Sequence, residues 1–218
     1  MNHKIKVILI GESSIGKTAI INRYIYDNYL NNYIQTIAPN YFQKEIKIEN
    51  KILKLDIWDT AGEERYRAIT KIFFNEVQIC FLLYDITSKE SFKEMKEYWY
   101  EQIKLIKECK GKNFILFFLF NFLWKKVIFI VGTKCDLFEK EEVNENEARN
   151  FAETINAKFI LTSALNNIGI NEMFENAAKI FVERTKNDEI INDSENNIFQ
   201  INNENEKAKN KKKCCSKT

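Results

Sequence analysis

Gly11-Glu-Ser-Ser-Ile-Gly-Lys17-Thr18 decides how this chain is read. It follows the apolar run Ile5-Lys-Val-Ile-Leu-Ile10 and precedes a helix-like segment from Ala19 to about Asp27. Strand, glycine-bounded loop and helix start, in that order, form the context of a phosphate-binding loop. Successive backbone N–H groups of such a loop make a nest for an anion. The helix N-terminus adds unpaired donors and the positive end of its dipole. Lys17 can reach the β- and γ-phosphates, and Thr18 can offer its hydroxyl to Mg²⁺.

Outward from the loop, strands and helices alternate. Residues 4–10, 77–84, 127–131 and 158–161 read as strands, and 91–109, 145–155 and 170–183 as helices. Residues 42–49 and 51–58 alternate on either side of Glu49-Asn50, which is a hairpin signal. The pattern predicts an α/β fold with a mostly parallel six-stranded sheet, one antiparallel edge strand, and helices on both faces. Ligands of such sheets bind at the carboxyl ends of the strands. The polar clusters described below lie at those ends or in the first long loop.

Composition removes several classes of chemistry. The 218 residues are 45% hydrophobic, enough for a core, and the net charge of +2 is too weak to argue for a nucleic-acid partner. The one histidine is His3, expected near a fraying terminus, so Ser-His-Asp and Cys-His catalysis are excluded. Five scattered cysteines without a regular framework point to a reducing compartment. The short run at 5–10 is not read as a signal peptide.

Asp59-Thr-Ala-Gly62 closes an apolar strand. A carboxylate there can hold Mg²⁺, usually through water, opposite Thr18. Gly62 can place its N–H against a γ-phosphate. Thr133-Lys134-Cys-Asp136 follows the strand at 127–131. Its carboxylate can accept two hydrogen bonds at once. Guanine presents N1–H and N2–H₂ side by side and adenine does not, so Asp136 reads as a guanine selector. The Lys134 stem can lie over the base, and the Ser163-Ala164 backbone can contact the guanine carbonyl oxygen.

Taken together, these motifs resemble the Ras-like small GTPases, and within them the Rab family. The phosphate loop, Thr36, Trp58-Asp-Thr-Ala-Gly62, Thr133-Lys-x-Asp136 and Ser163-Ala164 stand in the family's order and spacing. Glu64-Arg-Tyr-Arg-Ala-Ile69, Leu83-Tyr-Asp-Ile-Thr87 and the cysteine pair Cys214-Cys215 add Rab-like wording. The resemblance implies a small G domain over residues 1–185 that binds GTP or GDP with Mg²⁺. It implies nucleotide contacts from Gly11, Ser13, Ser14, Ile15, Gly16, Lys17, Thr18, Tyr29, Thr36, Gly62, Thr133, Lys134, Asp136, Ser163, Ala164 and Leu165. Thr18, Thr36 and Asp59 would serve the metal, and Lys17, Thr36 and Glu63 the hydrolysis. Residues 28–41 and 59–76 would be the two switches, ordered by GTP and released after hydrolysis.

Several positions depart from that pattern. The family has Gln where this chain has Glu63. A carboxylate can accept a proton from the attacking water but cannot donate to a phosphate oxygen, and the γ-phosphate repels it. Thr133 replaces the commoner Asn, Leu165 replaces the usual Lys, and Ile37-Ala-Pro-Asn-Tyr41 is unlike the usual switch I run. A hydrophobic segment, Phe114-Ile-Leu-Phe-Phe-Leu-Phe-Asn-Phe-Leu-Trp124, interrupts a connection the family keeps short. It is too short to span a bilayer, which takes about 20 residues. We read 113–125 as a translated intron of an AT-rich gene; a buried extra strand and a membrane-dipping hairpin are the alternatives.

Residues 186–218, rich in Asn and Glu and then in Lys, read as a disordered tail. The tail ends in Cys214 and Cys215, which the resemblance makes sites of double geranylgeranylation. Two lipid chains, with nearby lysines, satisfy the two-signal rule for stable anchoring. The resemblance implies a monomer on the cytoplasmic face of an intracellular membrane, cycling with the cytosol. It also implies an exchange factor, a GTPase-activating protein, effectors that read the switches, a Rab escort protein and a GDP-dissociation inhibitor. Two other functions compete. Glu63 motivates a constitutively GTP-bound, hydrolysis-poor scaffold. A phosphate-loop metabolic kinase or ATPase would have no use for Asp136 or the cysteine tail.

Overall fold

Among the described residues the strands are β1 (His3–Ile10), β2 (Asn40–Ile48), β3 (Lys51–Asp59), β4 (Ile79–Asp85), β5 (Val127–Thr133) and β6 (Lys158–Leu161). A computed structural model describes residues 3–29, 36, 39–60, 71–108 and 126–186. Gly62, Glu63, the segment 113–125 and the tail cysteines lie outside the described residues, so the expectations placed on them are not addressed by it. Residues 1–181 form one compact unit, and the fold below is that of this unit.

The six strands form one sheet in the order β2-β3-β1-β4-β5-β6. β2 and β3 are antiparallel, from Asn40 opposite Asp59 to Ile48 opposite Lys51, which places the two-residue turn at Glu49-Asn50. All other pairings are parallel. β4 and β5 are buried along their whole length, as parallel strands covered on both faces must be.

Among the described residues of this unit the α-helices are α1 (Lys17–Tyr26), α2 (89–108), α3 (Glu145–Thr154) and α4 (170–181, running on to 186). On one face, Ile8, Ile10, Cys80, Leu82, Ile128 and Ile130 pack with Phe92, Met95, Trp99 and Ile103 of α2 and with Ala148 and Ala152 of α3. On the other, Phe81 meets Phe174 of α4 edge-on with 5.2 Å between ring centroids, and Tyr24 of α1 stacks on Phe174 at 3.8 Å. The α/β architecture, the antiparallel edge and helices on both faces are those read from the sequence.

Differences lie at element ends, and they have local causes. β1 begins at His3, one residue before the run read from the sequence, with His3 opposite Leu53. α1 begins at Lys17 and not at Ala19, because Gly16 takes a left-handed conformation (φ 101°) that turns the chain straight into the helix. β5 runs on to Thr133, bringing Gly132 and Thr133 into register with Tyr84 and Asp85. α2 contains a π-helical stretch, Met95–Tyr100. Such bulges shift the side chains that follow, and here the stretch carries the almost fully buried Trp99. Among the described residues no helix is long and apolar enough to cross a membrane.

Candidate functional site

The carboxyl ends of β1, β3, β4, β5 and β6 deliver two clusters of polar side chains. The first surrounds the loop between β1 and α1. Gly11 has φ 150°, and a Cβ there would stand 2.5 Å from the Leu83 carbonyl oxygen and 2.4 Å from Ile15 Cδ1. Only glycine fits. α1 and α3 differ at their starts. The Asn144 side chain accepts from Asn146 N–H at 2.8 Å, whereas α1 has no side-chain cap and no acidic residue in its first turn. Uncapped N-terminal amides beside a glycine-bounded loop are what an anion would satisfy.

Lys17 lies across this loop. It is buried, and its ammonium donates to the carbonyls of Gly11 (2.9 Å) and Glu12 (2.6 Å). Burial holds its pKa down to about 8, against the opposing pull of the Asp59 and Glu12 carboxylates. Asp59, the last residue of β3, is fully buried. Its Oδ2 accepts from the Thr18 hydroxyl at 2.7 Å and from the Thr36 hydroxyl at 3.4 Å, and those two hydroxyl oxygens are 2.8 Å apart. Its Oδ1 is buried without a hydrogen-bond partner among the described residues. Burial pushes its pKa up, with the Thr18 hydrogen bond, the Lys17 charge and the Thr36 hydrogen bond opposing. Thr60 fixes this strand end by donating to the Leu9 carbonyl at 2.7 Å. Two hydroxyl oxygens converging on a carboxylate whose other oxygen is unsatisfied are hard oxygen donors that fit Mg²⁺. A buried cation and a buried carboxylate, each held off its ordinary titration by burial, are groups that a phosphate and a divalent cation would satisfy together.

The second cluster lies beyond β5 and β6. Asp136 Oδ1 accepts from the Ser163 hydroxyl at 2.5 Å, and Ser163 Oγ accepts from Asn166 N–H at 3.1 Å. Ser163 and Ile168 exchange backbone hydrogen bonds of 3.0 and 2.9 Å, closing the loop between them. Lys134 takes a left-handed backbone (φ 59°), and its ammonium pairs with Asp85 Oδ2 at 2.5 Å. Asp85 Oδ1 accepts from the Thr87 N–H and hydroxyl.

Most of the residues expected to form the site therefore converge. Lys17, Thr18, Thr36 and Asp59 meet at the first cluster, and Lys134, Asp136, Ser163 and Ala164 belong to the second. Ser13 and Ser14 form the turn of the glycine-bounded loop. Ile15 puts its side chain into the core, so only its backbone is left for a ligand. Thr133 is buried, and its hydroxyl lies 2.6 Å from the Ile15 carbonyl and 3.0 Å from that of Tyr84. It ties the phosphate loop to β4. Tyr29 is half-buried in irregular chain after α1. Leu165 is half exposed.

Sequence reasoning missed the groups that hold the site residues in place. Asp85 anchors Lys134. Trp99 donates its indole N–H to Glu12 Oε1 at 3.3 Å, joining the loop to α2. Arg23 reaches the loop after β6, 141 residues away. Only the interruption of an apolar helix by one arginine could have pointed to Arg23.

A model of the Ras family matches residues 6–183. Human Rab-22A is 34% identical over 171 residues, covering 78% of this chain and 80% of that protein. Human Rab-21 is 33% identical over 187 residues, covering 86% and 76%. Rab-21 of Geodia cydonium is 34% identical over 180 residues, covering 83% and 72%. With the strand order and the two clusters already in place, the match settles the family: this chain belongs to the Ras family, as a Rab-like small GTPase.

Proposed function

We propose that this protein is a membrane-anchored guanine-nucleotide switch of vesicle traffic. It binds GTP or GDP with Mg²⁺, hydrolyses GTP with help, and presents its two switch segments to effectors. One observation carries the reading: Thr18, Thr36 and Asp59 converge within 2.7–3.4 Å beside the buried Lys17. Thr36 comes from the first long loop. A group that bridges loop and core in this way ties the loop's position to what is bound.

The phosphate loop would bind and orient the phosphates through its amides and Lys17. Thr18 and Thr36 would hold the metal directly, with Asp59 behind them. Mg²⁺, when bound, supplies charge neutralisation at the β- and γ-oxygens. Asp136, held by Ser163, would read guanine N1–H and N2–H₂. The ion pair to Asp85 fixes the Lys134 ammonium and leaves its stem to line the base. Glu63 would accept a proton from the attacking water without stabilising the phosphate, so turnover would depend on an activating protein. Such proteins contribute on the order of 10³–10⁵ in rate. Exchange factor, escort protein and GDP-dissociation inhibitor complete the cycle, and prenylated Cys214 and Cys215 anchor it.

The test is the nucleotide that co-purifies, followed by single-turnover hydrolysis with and without an activating protein. Bound GDP and activator-dependent turnover are expected, with Glu63→Gln raising the unassisted rate. GTP retained in both proteins under all conditions would favour the hydrolysis-poor scaffold that Glu63 suggests. Bound ATP would overturn both. Labelling with a geranylgeranyl donor, lost in the double substitution Cys214→Ser and Cys215→Ser, tests the anchor.

A further inference from the structure

We propose that Arg23 is a positioning residue for the base-reading loop, and through it sets how well the site recognises the guanine carbonyl oxygen. This rests on the reading of Asp136 and the Ser163–Leu165 segment given above. Arg23 lies in α1, six positions after Lys17, with its side chain 15% exposed. All three guanidinium nitrogens donate to backbone carbonyls: Nε to Ala164 at 2.9 Å, Nη2 to Leu165 at 3.2 Å and Nη1 to Asp27 at 2.9 Å. Asp27 caps α1 in a left-handed conformation, its N–H bonded back to the Arg23 carbonyl at 3.0 Å. Its carboxylate accepts from Asn167 Nδ2 at 3.3 Å, a second link between the end of α1 and the same loop.

The peptide plane makes this clamp matter. A trans peptide points its N–H opposite its C=O. Holding the Ala164 carbonyl therefore fixes the direction of the Leu165 N–H, and holding the Leu165 carbonyl fixes that of Asn166, which bonds to Ser163 Oγ. The Ala164 N–H sits between this clamp and the backbone bridge of Ser163 to Ile168. Apolar packing does little here, since Leu165 and Ile168 are about half exposed. The loop is held by polar contacts, and of those described that lead back to α1 the arginine supplies two, with Asn167 to Asp27 as the third. Lysine cannot replace it, because one ammonium on a flexible stem does not reproduce a planar fork that reaches three carbonyls.

The experiment compares dissociation of GDP and of 6-thio-GDP from the full-length protein, Arg23→Lys and Arg23→Ala. The thio analogue keeps N1–H and N2–H₂ but carries sulfur, a weak acceptor, in place of the carbonyl oxygen. Release of GDP is expected to accelerate by about tenfold in Arg23→Ala, the scale of a lost hydrogen bond. Arg23→Lys should fall between it and the parent, and 6-thio-GDP should respond much less, so the preference for GDP over the analogue shrinks. If Arg23→Ala does not fold, Arg23→Lys alone carries the comparison. Equal acceleration of both nucleotides would make Arg23 a general stabiliser and overturn the proposal, as would no change in either. A parent protein that does not prefer GDP to the analogue, and whose GDP release is unaltered by Asp136→Ala, would overturn the base-loop reading itself.

Discussion

The two ends of the site are built on different plans. At the phosphate end, the groups that would meet the ligand also meet one another: Lys17, Thr18, Thr36 and Asp59 lie within hydrogen-bond reach of each other or of the loop they serve. At the base end, the groups that would read the ligand are one carboxylate, the Lys134 stem and a few backbone amides. Other side chains hold them in place: Ser163, Asp85 and Arg23. A phosphate is large, charged and tolerant of direction, so converging charge suffices. A base edge is flat and directional, so its readers must be aimed, and much of the structure there does the aiming.

Four substitutions probe this contrast, from the largest effect to the smallest. Thr18→Asn strikes the convergent end and should cost Mg²⁺ and GTP binding together, by about 100-fold or more, the scale of removing one partner from a buried charged cluster. Titration with fluorescent GTP in magnesium and in EDTA checks it; equal affinities for parent and variant in magnesium would break the comparison at its strong end. Asp136→Ala should lower GDP affinity by roughly 10- to 100-fold, the scale of two hydrogen bonds at their usual net worth of about 1 kcal/mol each, while leaving binding of inorganic pyrophosphate unchanged. Loss of pyrophosphate binding would show that the two ends are not separable. Thr133→Val deletes the hydroxyl that ties the phosphate loop to β4 and should lower unfolding stability by about 1 kcal/mol, measured by urea denaturation of the nucleotide-free protein. Leu165→Lys restores the residue usual in the family and should change GDP release by no more than about twofold, since a half-exposed side chain whose backbone is already clamped adds little. A larger slowing would mean that side chains at the base end do more than aim.

The same contrast explains what was legible in the sequence. The phosphate end is encoded mostly in one contiguous run, with Asp59 marked by its strand end and Thr36 by the family resemblance, and the structure brings those residues together. The parallel sheet and its antiparallel edge were legible for a similar reason: apolar runs and alternating runs have different periods. Asp136 and Ser163 were legible as motifs. Their supports were not, because Asp85 and Arg23 act on charge or backbone far along the chain, and the local pattern around each does not say what it reaches. Element ends were also misjudged. Lys17 and Thr133 each belong to a regular element, and periodicity says little about where a polar residue joins a helix or strand. The π-helical stretch in α2 was invisible, since its one-residue shift alters packing without altering composition.

That stretch has an optical consequence. Trp99 is buried to 1% exposure and hydrogen-bonded to a carboxylate of the phosphate loop. The chain has two other tryptophans, Trp58 and Trp124. With both replaced by phenylalanine, the remaining indole emits from a buried site beside the Glu12 carboxylate of the loop. Its colour and brightness would report, without any attached dye, on whether the Glu12 contact with the phosphate loop is kept.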